Sequence, residues 1–137
     1  MPSSLKFVIG ALLLAVLCVP ISLAVQRHQM QHQSRLLAAQ ATGGRPALGK
    51  LAIQRLGCGA CHEIEGTAGT NGQVGPPLKA LSGRAEFAGK TPNDAQSLIT
   101  WIEHPQSISP GVGMPDIPMS HQDARDMAAY LYTLRGP

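Results

Sequence analysis

Aromatic side chains are scarce in this chain of 137 residues: one Trp, two Tyr and two Phe. Phe7 lies in an apolar N-terminal run, which leaves Phe87, Trp101, Tyr130 and Tyr132 for everything after it. A domain of about ninety residues with so few large side chains buries a modest share of its surface, and such domains often depend on a metal, disulfide or cofactor. Cysteine is also scarce. There are three, and after Cys61 there is no other. Charge of one sign is lacking as well: the formal net charge is +3 and the basic residues are scattered. That argues against the basic stripe of a nucleic-acid binder, and no nucleic-acid partner is expected. Period-two alternation and internal repeats are absent too, which points to an all-α fold with long loops.

The apolar residues are concentrated at one end. Phe7–Val25 carries no charge over nineteen positions. As a helix it would be roughly 28 Å long, close to the hydrocarbon thickness of a bilayer. Secretory signals have shorter apolar regions, about 7–15 residues, so the run reads as a membrane anchor. Ser22-Leu23-Ala24 offers the small-residue pattern of a cleavage site, and a signal peptide is the alternative; either one exports the remainder of the chain. The expected organisation is an anchor or signal over 1–25, a linker over 26–46 and a domain over 47–137. The linker opens polar, passes through Leu36–Ala41 with helical character, and is expected to stop at Gly43-Gly44.

Within the domain, Leu48–Leu56 reads as a short helix running into the cysteines. Residues 66–75 read as loop. A second helix is expected after Thr91-Pro92, with Asn93 as its cap and Leu98, Ile99, Trp101 and Ile102 on its buried side, ending at His104-Pro105. Residues 105–118 hold four prolines and two glycines, an irregular strap. Ser120 then caps a last helix, His121–Leu134, with Asp123 in the capping-box position.

Cys58-Gly59-Ala60-Cys61-His62 admits three chemistries. A structural zinc site needs four ligands, and no second short-spaced pair is present downstream. A dithiol switch wants its first cysteine at a helix N-terminus in a βαβ setting, whereas here the cysteines come after a helix. The third chemistry is haem attachment: two thiols three apart form thioethers to one porphyrin, and His62 directly after them ligates the iron. It also accounts for the thin core, since a buried porphyrin supplies apolar surface that side chains need not. The reading is therefore haem c. Candidates for a sixth iron ligand are Met114, Met119, Met127, His104 and His121. Met114 leads because it sits in the stiffened strap; Met119, five residues on, is its rival.

From about residue 47 to 135 the chain resembles class I cytochrome c, the small monohaem electron carriers and their membrane-bound bacterial relatives. The resemblance implies that Cys58 and Cys61 carry the haem and that His62 and Met114 ligate its iron. It also implies that Pro76, in Gly75-Pro76-Pro77-Leu78, accepts the His62 ring N–H and that Leu78 lies against the haem. Arg84 matches an arginine near a haem propionate, and Trp101 and Ile102 belong to the distal segment. Ile53 or a neighbour stands where an aromatic is often found on the first helix, so the crossing with the Tyr130 helix is expected to use a smaller partner. The implied function is electron transfer rather than catalysis, on the periplasmic side of the bacterial cytoplasmic membrane. Redox partners would be a quinol-oxidising complex and a terminal oxidase or other reductase. The alternatives are a fixed cytochrome subunit of a larger enzyme, such as an oxidase or nitric oxide reductase, and an open-site haem enzyme or gas sensor.

Overall fold

A computed structural model describes residues 3–134; the expected ends of the chain, at 1 and 137, lie outside it. Contact density divides the chain into two units, Met1–Gln33 and Ser34–Pro137. The first unit is helical. Helix α1, Ser3–Thr42, runs through it and into the second, and by length and composition it can cross a membrane. The apolar side chains of its first unit are exposed, Phe7 at 78% and Val16 at 70%. Residues 26–42, expected as a linker with a helical middle, are helical throughout, and Ser34, Ala38 and Thr42 are buried within the second unit. The helix ends where Gly43 adopts a left-handed φ of 66°, which glycine takes without steric cost.

The second unit is built on the crossing of α2 (Pro46–Arg55) and α5 (His121–Thr133). Pro46 occupies the first turn of α2, where its missing N–H costs nothing. Arg45 N–H donates to Asp126 Oδ1 at 2.7 Å, tying the start of α2 to the middle of α5. The helices meet backbone to backbone: a Cβ at Gly49 would collide with the Asp126 carbonyl. Ala124, Ala128 and Ala129 are fully buried, and small side chains of this kind permit close approach. Ile53 and Met127 fill the space beside them. Tyr130 packs at the edge of this core, and its hydroxyl turns to the loop after the cysteines, donating to Glu65 O at 2.8 Å and accepting from Thr67 Oγ1. The crossing therefore rests on glycine and alanine, and Tyr130 serves the loop.

Helix α3 (Ala95–Glu103) packs on α5 through Leu98, Ile99 and Ile102. Its cap is Asp94, whose carboxylate accepts from Ser97 N–H at 2.9 Å, and not Asn93. Both residue types cap helices. Asn93, however, has an amide that donates, and Nδ2 is taken by Leu81 O and Arg84 O, which a carboxylate could not satisfy. His104 ends α3, and Pro105 starts one further turn, α4 (Pro105–Ile108), inside the segment expected to be wholly irregular. Ser120 caps α5 in a complete capping box with Asp123. His121 at the start of α5 lies 2.7 Å from Glu103 Oε1 at the end of α3.

Two departures from an all-helical chain are small. Strands β1 (Glu86–Phe87) and β2 (Thr91–Pro92) form an antiparallel pair, and Glu63 bridges Asn71. Two residues are too few to show alternation in a sequence.

Candidate functional site

Left-handed Gly57, φ 73°, turns the chain out of α2 into a single 3-10 turn, Cys58–Ala60. Within it Cys61 N–H and His62 N–H both donate to the Cys58 carbonyl. Both cysteines are half-buried and unbonded. Burial pushes the Cys58 thiol up, with a smaller upward push from Cys61 and an opposing hydrogen bond from the backbone. A dithiol switch depends on a lowered thiol, so this environment speaks against one. Among the described residues no group of three or more His, Cys, Asp or Glu comes together to hold a metal ion.

The segment 72–78 is laid against this turn by backbone bonds: Gly72 N–H to Gly59 O, Gly75 N–H to Cys61 O, and Leu78 N–H to Glu63 O. Gly75 lies directly under the His62 ring, and a Cβ there would overlap the imidazole. His62 Nδ1 is 2.8 Å from Pro76 O. A carbonyl only accepts, so Nδ1 carries a proton and donates; in the neutral ring this puts the lone pair on Nε2. Arg84 Nη2 donates to Pro77 O and Lys79 O, at 3.0 and 2.9 Å, and braces the same segment from its far end.

Opposite stands the strap that leads from α4 to α5. Gly111 is left-handed, φ 83°. Met114 is half-buried and faces a cavity of about 380 Å³. Cys58, Cys61, His62, Pro76, Leu78, Arg84, Trp101, Ile102 and Met114 all line that cavity. Met119 is not on its wall and packs against the core instead; Met127 is buried in the core at 2% exposure. His104 and His121 are likewise away from it. Sequence reasoning did not single out Leu81, Phe87, Val112 and Ile117 as lining residues. Phe87 meets Trp101 edge to face, ring centroids 6.0 Å apart, and its position beside a two-residue strand gave no signal. Among the described residues the lining is largely apolar, with two thiols, an imidazole and a thioether, and one cation, Arg84. That donor set fits a large apolar ring with a central metal and an acidic edge, and the cavity falls in the size range of small-molecule sites.

The family model for cytochrome c matches residues 46–135. Cytochrome c oxidase subunit 2 of Alkalihalophilus pseudofirmus is 35% identical over 88 residues, 64% of this chain. That match covers 25% of the relative's own length. No solved structure matches the chain.

Proposed function

Because the chain belongs to the cytochrome c family, which implies covalently bound haem c, we propose that it is a monohaem electron carrier held at a membrane by α1. Haem c, when bound, supplies an iron that accepts and returns one electron at a time. Cys58 and Cys61 would hold the group covalently, and His62 and Met114 would supply the ligands to its iron. The observation that supports this most is the convergence of both thiols, the His62 ring and Met114 on one cavity, with Met119 outside its lining.

Each neighbouring residue then has a definable task. Pro76 O holds the Nδ1 proton, which fixes the ring and raises the basicity of Nε2. Gly75 leaves room for the ring to lie flat on the backbone. Leu78, Trp101 and Ile102 exclude water from the walls. Arg84 offers a cation for an acidic substituent of the ring. An apolar surround and a soft thioether would both favour the ferrous state of a bound haem and so raise its potential. With His62 and Met114 both given to the iron, no place would remain for a substrate, which suits electron transfer between proteins. The export reading puts the haem domain on the periplasmic face of a bacterial cytoplasmic membrane, between a quinol-oxidising complex and a terminal oxidase or other reductase.

A second reading is favoured by the likeness to a protein named as an oxidase subunit: this chain is a fixed cytochrome subunit of a larger enzyme. Detergent extraction separates the two, since a fixed subunit co-purifies with its complex in constant ratio. The carrier chemistry is tested by equilibrium redox titration of the haem-loaded protein with carbon monoxide challenge. A single one-electron wave and a ferrous form that resists carbon monoxide are expected. Ready carbon monoxide binding would replace this reading with an open-site haem protein.

A further inference from the structure

The strap carrying Met114 has little bonding of its own. Among the described residues, the backbone-to-backbone hydrogen bond given by a residue of 110–118 is Val112 N–H to Ser109 O, just before that span. Pro110 and Pro115 have no N–H to give, and Gly111 and Gly113 have no side chains to pack. What holds the curve is one half-buried amide reaching across from α4. Gln106 Nε2 donates to Val112 O at 2.7 Å and to Met114 O at 2.6 Å, while Gln106 Oε1 accepts from Gly111 N–H at 3.0 Å. Gln106 is itself fixed, since its backbone N–H donates to Asp116 Oδ1 at 3.1 Å, on the far side of Met114. Pro115 narrows the Met114 backbone to extended conformations.

We infer that Gln106 is the positioning residue for Met114: its side-chain amide sets the curve of Gly111–Met114 and so presents the thioether to the cavity. This rests on Met114 being the axial ligand. The chemistry demands an amide. Two strap carbonyls need donors and one strap N–H needs an acceptor, and a glutamine side chain supplies both kinds at the right length. A carboxylate of the same size keeps the acceptor and sets an oxygen anion against two carbonyl oxygens.

The test uses the full-length, haem-loaded protein in detergent at pH 7, read by two signals. One is the weak far-red band of thioether-ligated ferric haem; the other is the rate of cyanide binding, which requires the sulfur to leave. Gln106→Ala is expected to weaken the band and speed cyanide binding on the order of tenfold, the size expected from losing hydrogen bonds of modest net worth. Gln106→Glu is expected to be at least as fast as Gln106→Ala. A side chain that merely fills space would behave oppositely, because the near-isosteric Gln106→Glu would then match wild type, and that result overturns the assignment. Met114→Ala, run beside them, keeps the two readings apart. If it leaves the band intact, ligation by Met114 is wrong and the role of Gln106 falls with it. If it removes the band while Gln106→Ala keeps wild-type cyanide kinetics, ligation stands and positioning by Gln106 is refuted. If Met114→Ala accumulates with haem and neither Gln106 variant does, Gln106 serves the fold as a whole and the assignment is again refuted.

Discussion

On one wall of the cavity His62 is held by main-chain atoms of the facing segment 72–78; on the other, Met114 is held by a side chain eight positions upstream. The His62 wall is a closed network of backbone bonds. The turn Cys58–Ala60, the facing segment 72–78 and the Pro76 carbonyl bond to one another through main-chain atoms and the His62 ring, and glycine allows the close contact at Gly75. The Met114 wall is a span of proline and glycine whose curve is carried by one amide and whose far end is pinned by the Ser120–Asp123 cap. Backbone networks of the first kind open only with the fold. A strap of the second kind opens locally, at lower free energy. On the proposed ligation, the same division would suit an iron that keeps His62 and depends on packing for Met114.

The largest effect expected is on the His62 wall. Cys58→Ala with Cys61→Ala removes covalent attachment, and a domain of about ninety residues with few aromatics then lacks the core to stay folded. Acid-acetone extraction should release all haem, and far-ultraviolet circular dichroism should show loss of helix from the domain. A folded, haem-free double variant would break the comparison at its root. Next in size, Gly75→Ala forces a methyl group into the His62 ring. Overpacking of this kind costs about 1–3 kcal/mol, and thermal melting is expected to fall by at least about 5 °C. The smallest effect lies at the exit of the strap. Ser120→Ala removes a cap worth about 1 kcal/mol.

That last variant has a pH signature. The Ser120 hydroxyl, and after it Arg55, hold the Asp123 carboxyl below the usual carboxylate range. A carboxyl depressed in the folded state stabilises it above the unfolded value, and loses that contribution as pH falls through the folded one. The difference between wild type and Ser120→Ala in chemical denaturation is therefore expected to be full at neutral pH and to narrow below about pH 4. A gap that widens in acid would remove Asp123 from the cap.

The two walls also differ in how legible they are in a sequence. The proposed haem attachment and the proposed His62 ligand fall within five positions, Cys58 to His62, so that side announces itself. The cap at Ser120 is similarly local, whereas α2 starts at Pro46, two residues before the expected Leu48. Gln106 gave no signal, because its partners lie five to eight residues on in a span without periodicity, and only the curved chain brings them together. Asn93 and Asp94 are both capping types, and what divides them is a pair of distant carbonyls, Leu81 O and Arg84 O. Gly49 offered a clue of another kind: glycine inside a helix costs about 1 kcal/mol against alanine, which is tolerable where a neighbouring backbone needs the room.

The central claim, that the two walls serve one iron through His62 and Met114, is tested most directly by comparing Met114→Ala with Met119→Ala in the ferric spectrum. Loss of the far-red band in Met114→Ala, with a lowered potential and admission of cyanide, and a retained band in Met119→Ala, are the expected results. The potential falls because thioether favours the ferrous state over the water or hydroxide that replaces it. A band that survives Met114→Ala and disappears in Met119→Ala would contradict the assignment of the distal wall.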